Sequence, residues 1–136
     1  MDVKELIREA FEARKNAYTP YSKFNVGAAL LTKDGRVYRG CNIENSSYGA
    51  TNCAERTAFF KAVSDGERSF AAIAIVGGYS DGSKIGYAFP CGICRQVMRE
   101  FTDPTAFKVI VAVSEDEYKE YTLEELLPES FGPDNL

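Results

Sequence analysis

Residues 71–76 read Ala-Ala-Ile-Ala-Ile-Val, six apolar side chains in a row. Side chains of an extended chain point alternately to opposite faces, so this run suits a strand covered on both sides. Lys108 to Val113 (Lys-Val-Ile-Val-Ala-Val) is a second strand of the same kind. Two such strands call for helices above and below one sheet. The helices are present in the pattern. Val3, Leu6, Ile7, Ala10, Ala13, Ala17 and Tyr18 recur at helical spacing, predicting a helix from Val3 to Tyr18 that Thr19-Pro20 stops. A second helix is expected to begin near Thr51-Asn52 and carry Cys53 to Val63. A third runs from Cys91 to Phe101, opened by Pro90, whose missing N–H costs nothing in a first turn. Leu123 to Leu127 is a short fourth. Asn25–Thr32 and Arg36–Cys41, joined by Lys33-Asp34-Gly35, read as a β-hairpin, and Glu120–Thr122 as a short strand. Gly77 to Phe89, with four glycines, reads as a loop. The expected fold is α/β: a three-layer sandwich with a mixed, roughly five-stranded sheet flanked by helices. No repeat or interdomain linker interrupts the 136 residues, which suit a single domain over 1–136.

Charge narrows the ligand. Sixteen basic against twenty acidic residues give a net charge of -4, and no run of Lys or Arg offsets it. A nucleic acid needs a concentrated basic surface, so a small uncharged or cationic ligand fits better. The start, Met1-Asp2-Val3-Lys4-Glu5, lacks the apolar core of a signal peptide, and no apolar stretch approaches the ~20 residues of a membrane span. A cytoplasmic protein with no membrane partner is expected, in which cysteines bind metal or do chemistry more often than they form disulfides. The chain also contains no histidine. Imidazole-based nucleophile pairs and His-rich zinc sites are therefore excluded, and acid–base work falls to Asp, Glu, Lys, Tyr, Cys or a metal-activated water.

Four cysteines remain to be placed. Cys91-Gly92-Ile93-Cys94 offers two thiols at a spacing that serves a tetrahedral zinc or a redox dithiol. Both this pair and Cys53 fall at predicted helix starts, where the helix dipole stabilises thiolates. Three thiolates around one zinc ion carry excess negative charge, which two dipole ends and the neighbouring Arg56 offset. Cys41, ending a predicted strand, is read as a core residue. The alternative is a closed, structural four-cysteine site that includes it. Glu55 favours the open site: a carboxylate two residues past a ligand cysteine can lean toward the metal without binding it. Three protein ligands leave a position for water, whose pKa zinc lowers to about neutral, and the carboxylate can take up and return its proton.

Cys53-Ala54-Glu55-Arg56 followed by Pro90-Cys91-Gly92-Ile93-Cys94-Arg95-Gln96 resembles the zinc-dependent cytidine deaminases of the short, homotetrameric type. The likeness extends over nearly the whole chain, through Tyr18-Thr19-Pro20-Tyr21-Ser22-Lys23-Phe24, Val26-Gly27-Ala28-Ala29-Leu30, Gly40-Cys41-Asn42-Ile43-Glu44-Asn45 and Glu124-Glu125-Leu126-Leu127-Pro128. The resemblance implies one zinc ion per subunit on Cys53, Cys91 and Cys94, with Glu55 as proton shuttle and Arg56 hydrogen-bonded to the thiolates. It implies Asn42 and Glu44 on the ribose hydroxyls, Phe24 against the pyrimidine, and Ala54 among the substrate contacts. Tyr48 and Phe131 are implied to cross between subunits, Phe131 into a neighbour's pocket.

The reaction implied is hydrolytic deamination of cytidine and deoxycytidine to uridine and deoxyuridine with release of ammonia, a step of pyrimidine salvage. Two departures bear on substrate range. The Gly77–Phe89 connection is longer than usual, and in its length and its Tyr79-Ser80-Asp81 resembles the blasticidin-S deaminase branch; Ile93 also replaces a commoner small residue. Deamination of another aminated heterocycle, and a non-catalytic zinc module, are the alternatives.

Overall fold

The computed structural model describes residues 1–83 and 85–136. Helix α1 (Val3–Arg14) is followed by the hairpin β1 (Phe24–Thr32) and β2 (Val37–Cys41), then by α2 (Ala54–Ser64). Strand β3 (Phe70–Tyr79) and the two-residue β4 (Ile85–Gly86) lead to α3 (Gly92–Phe101), β5 (Lys108–Ala112), β6 (Tyr118–Thr122) and α4 (Leu123–Leu126). The sheet runs β2-β1-β3-β5-β6, with β4 paired to β3 off this path. Among the described strands, β3 and β5 pair in parallel and β1–β2, β1–β3, β3–β4 and β5–β6 antiparallel.

Strand alternation explains the three layers. Ala28, Leu30, Ile73, Ile75, Val109 and Val111 face a core shared with α2 and α3, around the fully buried Phe59. Their neighbours Ala29, Ala72, Ala74, Val76, Ile110 and Ala112 face the opposite core, closed by Leu6, Ile7 and Ala10 of α1. The run at 71–76 is thus covered on both faces, as its composition requires.

Several boundaries differ from expectation, among them the start of β6 at Tyr118 rather than Glu120. Helix α1 stops at Arg14, not Tyr18. The Arg14 guanidinium donates to the carbonyls of Asn25, Gly78 and Tyr79, while Tyr18 is drawn into a bridge with Ile43. The stretch from Gly77 is not wholly a loop: Gly77 and Gly78 continue β3 and pair with Gly86 and Ile85. Lys84, within it, lies outside the described residues. Finally, Cys53 and Cys91 are N-caps rather than helical residues.

Gly40 sets how closely α2 approaches the sheet. A Cβ there would lie 2.3 Å from the Ala54 carbonyl oxygen and 2.5 Å from the Ala58 nitrogen. Both are backbone atoms that cannot rotate away, so the whole helix, with Cys53 and Glu55 at its start, would have to move. We expect Gly40→Ala to lower unfolding free energy by about 3 kcal/mol, the upper end of overpacking costs. Urea denaturation checks this, and an unchanged midpoint would show that α2 can shift at no cost.

Candidate active site

The N-termini of α2 and α3 converge. Cys53 caps the first with φ −76° and ψ 157°, and Cys91 the second with φ −70° and ψ 168°. An N-cap side chain ordinarily accepts from the first-turn N–H groups. Neither sulfur does so, leaving both free of their own helices' first-turn N–H groups. They meet: Cys53 Sγ and Cys91 Sγ are 3.9 Å apart, Cys91 Sγ and Cys94 Sγ 3.5 Å, and all three lie within 4.8 Å of one another. Ligands at a zinc–sulfur distance of ~2.3 Å on a tetrahedron stand ~3.8 Å apart, so the spacing fits that ion. Among the described residues this is the group of side chains able to hold a metal, and Cys41 is not part of it.

Cys41 lies instead beside a second cavity, with Arg39, Thr57 and Lys61. It is half-buried, less enclosed than a core residue, and burial pushes its thiol up. Cys41→Ser should therefore leave zinc content at one per chain. Loss of the metal in that variant, measured by atomic emission after gel filtration, would restore the closed four-cysteine site.

The charge on the sulfurs also calls for a cation. The Cys53 thiol is lowered to about 5 by its hydrogen bond with Cys94 and by Arg56, whose Nη2 donates to Cys53 Sγ at 3.3 Å. The same sharing with Cys53, together with burial, pushes Cys94 up. Adjacent thiolates repel one another, so ionising all of them requires positive charge among them. Two helix dipoles and Arg56 supply part of it. The Arg56 side chain is held charged first by its Cys53 bond, and its buried Nε meets no acceptor among the described residues.

Glu55 follows in the first turn of α2 and is only 4% exposed. Burial, with the Cys53 charge adding to it, raises its carboxyl to about 7. A carboxyl so placed exchanges a proton near neutral pH, the condition for a general acid–base group. It lines a cavity of about 250 Å³ together with Cys53, Ala54, Cys91, Phe24 and Asn42.

The other expected contacts divide. Asn42 is at the cavity, but its amide is spent on the backbone: Oδ1 accepts from Val26 N at 2.9 Å and Nδ2 donates to Phe24 O at 2.8 Å. It thereby fixes the strand that presents Phe24. Glu44 lies outside the cavity wall, its carboxylate accepting from Tyr21 N and Ser22 N at 3.1 Å and from the Ser22 hydroxyl. Those bonds hold its carboxyl low, the Ser22 hydroxyl foremost. Tyr48 is 77% exposed and packs edge-on against Tyr21. Phe131 is 62% exposed, its carbonyl held by Gln96 Nε2, and the tail around it is pinned where Arg99 donates to Ser130 and Asp134. Neither aromatic reaches the cavity of its own chain.

The cavity also contains residues that sequence reasoning passed over: Val26, Thr51, Asn52, Ala88 and Phe89. Thr51 and Asn52 immediately precede Cys53, and Ala88-Phe89 precede Pro90-Cys91. Proximity to the cysteine motifs was the available signal.

Donor set and buried carboxyl define a class: a zinc protein with a proton-transfer group inside its ligand pocket. The chain matches the family described as cytidine and deoxycytidylate deaminase zinc-binding region over residues 1–112, and it belongs to that family. It is 53% identical to a cytidine deaminase of Sporosarcina psychrophila, the alignment spanning 100% of this chain and 96% of that one. The crystal structure of cytidine deaminase from Burkholderia pseudomallei superposes with a TM-score of 0.87 at 47% identity, covering 96% of this chain and 100% of that one. That of cytidine deaminase from Mycobacterium tuberculosis gives 0.81 at 40%, covering 97% and 98%.

Proposed function

We propose that this chain hydrolytically deaminates cytidine and deoxycytidine, giving uridine or deoxyuridine and ammonia. The observation that carries the reading is Glu55: a carboxyl only 4% exposed, in the same cavity wall as two of three converging cysteine sulfurs. Cys53, Cys91 and Cys94 would hold the zinc ion, and Arg56 would trim the charge of the thiolates. When bound, zinc supplies the Lewis acidity that makes a water nucleophilic near neutral pH.

Glu55 accepts the proton that this water loses as its oxygen bonds to C4 of the ring. Glu55 passes that proton to N3, then takes up the remaining proton of the oxygen now on C4 and hands it to the exocyclic amine, so that the C4–N bond breaks, a C4 carbonyl is left and ammonia leaves. Phe24 and the Ala54 backbone border the ring, and Asn42 orders the strand beneath it. Direct contact of Glu44 with a ribose hydroxyl requires it to share a carboxylate already bonded to Tyr21 and Ser22.

We further propose that the unit 1–136 works as one domain in a cytoplasmic homotetramer, where thiols stay reduced. The exposure of Tyr48 and Phe131 on the single chain supports sites shared between subunits. Among the described residues no helix is long and apolar enough to cross a membrane. Ammonia release by zinc-loaded protein from cytidine, deoxycytidine, cytosine, cytidine monophosphate and blasticidin S tests the substrate. Turnover of the two nucleosides is expected; turnover confined to blasticidin S would overturn the reading.

A further inference from the structure

Phe89 is 44% exposed, yet it forms part of the cavity wall with Cys53, Glu55 and Cys91. Leaving that much aromatic surface in water is unfavourable, which makes a placed, exposed ring informative. The ring is propped rather than loose. Its centroid lies 6.2 Å from that of Tyr87 and 6.0 Å from that of Tyr121 on β6, the latter at 61°. Tyr87 is in turn held by Lys119, whose Nζ sits 4.4 Å from its ring centroid, and its hydroxyl donates to Glu117 at 3.4 Å.

Phe89 is joined to Cys91 through Pro90, and both residues line the same cavity. Phe24 lines the same cavity and has its own tyrosine behind it, Tyr79, with centroids 5.2 Å apart. The cavity thus has two aromatic walls, each backed by tyrosine.

We propose that the Phe89 side chain is a specificity-determining wall of the pocket, stacking on the aromatic base of the substrate, with Tyr121 as a positioning residue that holds it there. The identity of that base rests on the deaminase reading above. Stacking on a base is indifferent to the sugar, so the wall should serve ribo- and deoxynucleosides equally. Tyr121 is not part of the cavity wall and acts only through Phe89.

The test is steady-state kinetics of zinc-loaded wild type, Phe89→Ala, Phe89→Tyr, Tyr121→Ala and the double variant Phe89→Ala/Tyr121→Ala, on cytidine and deoxycytidine. Thermal midpoints and solution masses are measured alongside. Phe89→Ala should raise KM roughly 5- to 100-fold, the range for losing one base–aromatic stack. The loss falls on KM rather than kcat, and by the same factor for both nucleosides. Phe89→Tyr keeps a stacking face and should restore KM. Tyr121→Ala should raise KM less and add nothing once Phe89 is gone. An unchanged KM in Phe89→Ala overturns the wall, as does a changed solution mass with KM intact, which would assign Phe89 to a subunit contact. Wild type that turns over neither nucleoside overturns the deaminase reading and the wall together. Wild type that turns them over, with KM unmoved in Phe89→Ala, overturns the wall alone.

Discussion

Glu55→Gln should reduce kcat for cytidine by at least ~10³-fold while leaving one zinc ion per chain. General acid–base groups contribute ~10²–10⁴-fold, and Glu55 is asked to move more than one proton in each turnover. Glutamine fills the same buried volume, so the fold and the sulfur cluster should survive. It cannot take up the water proton or deliver one to N3. The size of the effect separates two roles for a carboxylate in the first turn of a helix. A group that only complements the helix dipole contributes ~0.3–1 kcal/mol of stability and nothing to chemistry. A variant with kcat within tenfold of wild type and intact zinc would place Glu55 in that lesser role.

The second large effect concerns the metal. Cys91 is exposed, whereas Cys94 is buried in the core shared with α2 and α3. Cys91→Ser therefore removes a sulfur without opening a cavity, and what it changes can be attributed to metal binding. Partners that merely hydrogen-bond to ligands cost ~10–100-fold in metal affinity when removed, and loss of a ligand should exceed that. We expect zinc to dialyse away from the variant and nucleoside turnover to vanish with it. Wild type treated with a chelator should lose activity and regain it on adding zinc. Stability should follow. Free zinc at ~1,000 times its Kd adds about 4 kcal/mol by mass action, a difference between chelated and loaded wild type that Cys91→Ser should largely lack. Equal thermal midpoints for chelated and loaded wild type would contradict a bound ion at this position.

Both effects depend on features the chain states to different degrees. The layered fold was legible because Ala71–Val76 can be buried on both faces only between helices, and both cores use that alternation. The sulfur cluster was legible from cysteine spacing and Glu55. Its geometry was not: reading Cys53 and Cys91 as first helical residues misses the extended N-cap backbone, from which neither sulfur bonds its helix's first-turn N–H groups. The end of α1 escaped because local periodicity extends to Tyr18, while the backbone bonds that take Tyr18 out of the helix are with Asn42 and Glu44, residues distant in sequence. Glycine weakens intrinsic strand preference, so Gly77-Gly78 read as loop although pairing with Gly86 and Ile85 holds them extended. Phe89 carried no periodic signal at all. Its importance comes from Tyr121, thirty-two residues on, brought beside it by the pairing of β5 with β6.

The proposed centre is an open zinc site of three thiolates beside a carboxyl that does not bind the metal. X-ray absorption at the zinc edge of the loaded protein tests it most directly. Three sulfur scatterers and one lighter scatterer are predicted, with the lighter one retained in Glu55→Gln. Four sulfurs would contradict the claim, because Cys41 would then close the site and leave no position for the attacking water.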